Sequence, residues 1–145
     1  KKIAGACSKI QGQFTSGTCS ITQRAAIAAM DADPAVLKDM ISAFASRRTL
    51  VLEKLNEIKG VKTNVPGGAF YVFPDVSYFY GKSFNGSRIE NGSDLAMFLL
   101  NEALVALVTG EAFGDPNCIR ISYAASEEVL LEAMKRIKEA LEKLS

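Results

Sequence analysis

The sharpest chemical feature of the chain is an arginine inside NCIRISYAAS, Asn117 to Ser126. The stretch alternates like a strand, with Ile119, Ile121 and Tyr123 on one side and Cys118, Arg120 and Ser122 on the other. A guanidinium is planar, always charged, and matches a carboxylate with two parallel hydrogen bonds. A strand also fixes its direction better than a loop does. Arg120 therefore wants a carboxylate, either a protein acid at the sheet edge or a ligand. Local chemistry by itself favours the protein acid, because surface ion pairs are common. Just upstream, TGEAFG (109–114) forms a glycine-rich loop whose backbone N–H groups could face an anion. It lacks both G-x-G-x-x-G and the P-loop lysine-serine pattern. Glu111 in that loop is a possible acid-base group, although a solvated glutamate is the commoner outcome. Lys9 lies beside a small-residue loop, but nothing marks it as desolvated, as a Schiff-base lysine would be.

Composition narrows the chemistry further. The chain has no histidine, which removes the usual general base, Ser-His-Asp triads and the commonest metal ligand. Cys7, Cys19 and Cys118 are widely spaced with no C-x-x-C pair, so zinc and dithiol redox sites are not expected. Free thiols fit a reducing cytoplasm. Net charge is +1 with both signs interspersed, so neither a nucleic-acid groove nor a polybasic membrane patch is expected. No apolar run reaches the roughly 20 residues of a membrane span. At 145 residues and 48% hydrophobic content, the chain suits about one domain with a real core. It starts at Lys1 rather than Met, which fits a piece of a longer protein.

The elements that must position Arg120 can be read in order. Residues 1–20 begin like the end of a helix and pass into a small polar loop around Gly12, Ser16, Gly17 and Thr18. ITQRAAIAAMD (21–31) is alanine-rich and helix-prone. Asp33 and Pro34 restart the chain as cap and first turn. Leu37, Met40, Ile41, Phe44, Val51, Leu55 and Ile58 then mark one helix ending at Gly60, which would span roughly 39 Å. Arg47 and Arg48 fill a gap in its stripe and are assigned to the solvated face. Val61–Val65 and AFYVF (69–73) read as a strand pair about a Pro66-Gly67-Gly68 turn. Residues 77–93 read as a long loop, whose aromatics Tyr78, Phe79, Tyr80 and Phe84 either pack it down or form a lid. Ser93 caps a helix over Asp94–Ala103, LVALV (104–108) is a short buried strand, and Ser126 caps a last amphipathic helix. The expected fold is α+β: a small, mainly antiparallel sheet packed against helices, with a long connecting helix.

Four segments, taken in order, resemble a known family. They are KIQGQFTSGTCSITQRAA (9–26), PGGAFYVFPDVS (66–77), ALVALVTGEAFG (103–114) and CIRISYAAS (118–126). Together they look like the C-terminal part of a class I, fold type I aminotransferase, most like the bacterial aspartate aminotransferases. The resemblance implies pyridoxal 5'-phosphate as cofactor, amino acids and 2-oxo acids as substrates, and a cytoplasmic homodimer. It implies that Arg120 grips the substrate α-carboxylate, so its carboxylate is a ligand's. It also places the QGQFTSGT loop near the neighbouring subunit's site, with Thr15 and Ser16 as contacts. Residues 1–32 would close the large cofactor-binding domain and residues 33–145 would form the small domain.

One departure limits that expectation. The family's lysine pattern, S-K-x(5)-G-x-R, is absent from the 145 residues. The aspartate and tyrosine that attend the cofactor ring would also lie upstream. No cofactor-binding or catalytic residue is therefore assigned here, and the chain alone is expected to be inactive and not to bind the cofactor. The alternatives are an aminotransferase for aromatic or other amino acids, and the C-terminal part of a transcription regulator with an aminotransferase-like domain, which a DNA-binding segment upstream would reveal. A pure interaction domain is the third alternative. With the large domain absent, self-association and an altered path for residues 1–32 are also expected.

Overall fold

The computed structural model describes residues 1–14 and 17–145. The chain divides into two compact units, Lys1–Lys38 and Asp39–Ser145. The first holds helices α1 (Lys2–Phe14) and α2 (Ser20–Asp31), then a 3-10 turn, Pro34–Leu37. Neither helix buries a residue. The Asp33 carboxylate accepts the Ala35 N–H at 2.9 Å, as a cap should. The cap opens the 3-10 turn, and helix α3 follows as Lys38–Asn56. That shortens the expected 39 Å helix to roughly 28 Å.

The second unit carries the core. Strands β1 (Tyr71–Val72), β4 (Val108–Thr109) and β5 (Ile119–Ser122) form an antiparallel sheet in the order β1-β5-β4. A second pair, β2 (Ser83–Phe84) with β3 (Ser87–Arg88), forms a hairpin. Helices α4 (Gly92–Ala103) and α5 (Glu127–Leu141) pack on each other. Leu95 and Leu99 of α4 join Leu130, Met134 and Ile137 of α5, Ile119 and Ile121 of β5, Tyr123 just after it, and Val51 and Leu55 of α3 in one core. The expected α+β class is the observed one.

Several local expectations are corrected. Val61–Val65 does not pair with AFYVF: only Lys62 makes a bridge, to Asp75, while β1 pairs with β5. LVALV is not a buried strand. Leu104 ends α4 in the left-handed region (φ 55°) and is 75% exposed, and pairing begins only at Val108. The cap of α4 is Asn91 rather than Ser93, because its side-chain oxygen accepts both the Ser93 and Asp94 N–H groups at 2.9 and 3.0 Å. The stretch 77–93 is no open loop. Phe79 is buried, and Asn85 and Gly86, both with positive φ, turn the β2–β3 hairpin. Helix α3 stops at Asn56, short of the expected stop at Gly60; Gly60 instead lies in the turn that follows, with φ 92°, and the Tyr78 ring lies where any side chain at that position would go.

Candidate functional site

Strand β5 is the middle strand, so its direction is fixed from both flanks. Its inward residues are nearly inaccessible, Ile119 at 2% and Ile121 at 4% exposure. Tyr123 is anchored too: its hydroxyl donates to Ala69 O at 2.9 Å and its N–H to Phe70 O at 2.8 Å. Arg120 faces the other way and is half-buried, opposite Val108 in the ladder. Its guanidinium carbon lies 4.2 Å from the Phe113 ring centroid and 5.2 Å from that of Tyr71. Among the described residues the ion pairs join Lys54 and Lys138 to Glu57, Lys135 to Glu139, and Arg136 to Glu132. None involves Arg120. The protein carboxylate that local chemistry favoured is therefore not there, and the strand is not at the sheet edge. Two aromatic rings attend the charge and leave its in-plane N–H donors without a described acceptor.

The TGEAFG loop carries Phe113 to that position. Gly110 is buried; its N–H donates to Cys118 O at 2.8 Å, and its carbonyl accepts the N–H groups of Phe113 and Asp115 at 2.8 and 3.2 Å. A Cβ on Gly110 would collide with the carbonyl oxygens of Asp115 and Cys118, so only glycine lets the backbones approach. The Gly114 N–H is taken by Glu111 O. These N–H groups satisfy the loop's own carbonyls, so the anion cradle that the glycines suggested is not formed by them. Glu111 is exposed. Cys118 is buried, and burial first, then the Asp115 carboxylate, pushes its thiol up to about 11. Such a thiol is unreactive.

Arg48 was misplaced on the solvated face. It is half-buried, and its Nη1 donates to Pro66 O at 2.8 Å, tying α3 to the turn that feeds β1. Its spacing held the signal: four residues after Phe44 and three before Val51, it occupies a position of the apolar stripe itself. Arg47 lies 5.6 Å from the Phe44 ring.

A Schiff base with pyridoxal phosphate needs a lysine whose amine is kept neutral, as by desolvation. No described lysine is buried, and Lys9 is exposed on α1. The one lysine with a shifted pKa, Lys54, is raised by its hydrogen bond to Glu57, the opposite of what a nucleophilic amine needs. No cluster of metal-ligating side chains occurs among the described residues. Thr15 and Ser16 lie outside the described residues.

A family model for aminotransferase class I and II matches residues 1–137. The chain belongs to that family. It is 48% identical to a bifunctional aspartate aminotransferase and glutamate/aspartate-prephenate aminotransferase of Petunia hybrida, over 97% of its own length and 30% of the relative's. It is 40% identical to an aspartate aminotransferase of Streptomyces avermitilis, over 97% of its length and 35% of that protein's. The solved aspartate aminotransferase of Rhizobium meliloti superposes with a TM-score of 0.86 at 41% identity, covering 99% of this chain and 36% of that one. The chain thus spans about a third of the length of these relatives. No helix among its described residues is long and apolar enough to cross a membrane.

Proposed function

We propose that this chain is the C-terminal part of an aspartate-type aminotransferase and supplies the arginine that binds the substrate α-carboxylate. The observation that carries this reading is Arg120 itself. It is a cation on a central strand, half-buried, flanked by two rings and without a carboxylate partner among the described residues. A bidentate pair to a planar carboxylate satisfies the fork that the rings leave free. It also fixes the orientation of the amino-acid carbon next to that carboxylate, which is where the reaction of an aminotransferase takes place.

The remaining roles go to the rest of the protein. Pyridoxal phosphate, which supplies the electron sink for amino-group transfer, is held by residues outside this chain. Residues 1–32 belong to the end of the large domain and residues 33–145 form the small domain. The protein acts in the cytoplasm as a homodimer, with Thr15 and Ser16 near the neighbouring subunit's site. The relatives' names give aspartate, an amino-group donor, and in some of them prephenate, a 2-oxo acid acceptor. Either substrate presents a carboxylate to Arg120.

The test is Arg120→Ala in the full-length protein. Loss of a charge-assisted bidentate contact should lower kcat/KM for a dicarboxylic amino acid by on the order of a hundredfold or more. Cofactor affinity should stay within about twofold. An unchanged kcat/KM removes the assignment.

A further inference from the structure

Arg120 has neighbours that the carboxylate-binding role does not explain. Tyr71 and Phe113 stand 49 and 7 positions from it in sequence.

 The first of these contacts is therefore a product of the fold. The two rings reach the guanidinium from opposite flanks of the central strand. Tyr71 stands on β1, opposite Ser122, and Phe113 ends the 3-10 turn Glu111–Phe113 that follows β4. Each ring is braced by another: Phe70 lies edge-on to Tyr71 at 5.6 Å, and Phe73 edge-on to Phe113 at 6.3 Å.

From this geometry we infer that Phe113, with Tyr71 as the weaker second member, is a positioning residue that holds the Arg120 guanidinium in place for a substrate carboxylate. The inference rests on the carboxylate-binding reading of Arg120. An acidic neighbour would also hold a guanidinium, but it would occupy the N–H fork and neutralise the charge. A ring attracts the cation through its π face and accepts no in-plane hydrogen bond, so the fork and the charge stay available. Phe113 carries the larger share because it is the nearer ring and its backbone is pinned. Its N–H donates to Gly110 O at 2.8 Å, and Gly110 is locked against Cys118. Arginine has a long side chain with much rotamer freedom, so holding it beforehand reduces the entropy lost on binding.

The test uses steady-state kinetics of the full-length protein with an acidic amino acid and a 2-oxo acid. Phe113→Leu should raise the KM of both substrates roughly three- to thirtyfold, the range of one partly desolvated cation–π contact, with kcat within about twofold. Phe113→Tyr, which keeps the ring, should restore wild-type KM. In an Arg120→Lys background Phe113→Leu should add less than about twofold, because the two residues act as one unit. Phe113 is 49% exposed, so the leucine leaves no buried cavity. An arginine-labelled NMR spectrum gives a second readout: ring currents should shift the Arg120 side-chain signals upfield, and Phe113→Leu should abolish most of that shift. If Arg120→Lys raises KM while Phe113→Leu does not, or if Phe113→Leu costs as much in the lysine background, the positioning role is overturned. If Arg120→Lys leaves KM and kcat unchanged, the carboxylate assignment itself fails and this inference with it.

Discussion

The two units of this chain are held by different physics. In Lys1–Lys38, helix propensity is high, as in the alanine-rich α2, yet neither α1 nor α2 buries a side chain. Ile3, Ile10 and Phe14 of α1 stay exposed, Phe14 by 85%. In Asp39–Ser145 the sheet strands are two to four residues long, too short to persist alone. There the core fixes the elements, through side chains such as Leu99 and Ile137 that are almost wholly removed from water. Local preference is sufficient to draw a helix, whereas holding a charged side chain at a fixed place takes burial.

The largest expected effect tests that contrast directly. Leu99→Ala empties a fully buried position in α4 and should cost about 3 kcal/mol. Ile27→Ala in α2 removes a side chain that is 53% exposed and should change stability by less than about 0.5 kcal/mol. Urea unfolding of the two variants measures both. Equal losses would mean that α2 is held by burial as α4 is, and the contrast would collapse.

The same contrast governs what could be read from sequence. The alternation of β5 was legible, because a two-residue period with Ile119, Ile121 and Tyr123 on one side has few other meanings. So were the caps Asp33 and Ser126, whose bonds depend on residues two and three positions away. Misreadings arose where burial overrides local pattern. An apolar run such as LVALV looks like a strand, but Leu104 is spent on a left-handed helix end. Arg48 looks solvated by its charge, but its stem lies on the apolar stripe and its head reaches a turn carbonyl. The Asn85-Gly86 signal was present and passed over inside a loop assignment. The meeting of Tyr71, Phe113 and Arg120 was not legible, because it depends on strand order. No periodicity encodes that β5 lies between β1 and β4.

A smaller effect sharpens the comparison at the helix ends. Asn91 caps α4 with two backbone N–H bonds, whereas Cys19 precedes α2 with no side-chain cap bond. Asn91→Ala should therefore cost about 1 kcal/mol, and Cys19→Ala less than about 0.5 kcal/mol. Matching costs in urea unfolding would show that the caps do not distinguish the two units.

The smallest effect is a dependence on acid within the second unit. Asp75 links three parts of it. Its backbone exchanges hydrogen bonds with Lys62 at 2.7 and 3.0 Å and bridges Cys118, while its carboxylate accepts the Ser77 N–H at 2.8 Å. Hydrogen bonds from the Ser77 side chain and backbone hold the Asp75 carboxyl below its ordinary value of 3.8. A carboxylate with a lowered folded-state pKa stabilises fully above its unfolded value, and that stabilisation is lost as pH falls through the folded value. Glu57 and Glu132, lowered by Lys54 and Arg136 respectively, have the same sign but sit on exposed helix faces. Asp75→Asn isolates one carboxylate from the others, because asparagine keeps the shape without the titration. The stability difference between wild type and Asp75→Asn should be constant from neutral pH down to about 5 and shrink as pH drops below 3.8. Urea unfolding at a series of pH values measures it. A difference that stays flat or grows on acidification would mean that the Ser77 bonds do not favour the charged form, and that the turn after β1 is held by its backbone alone.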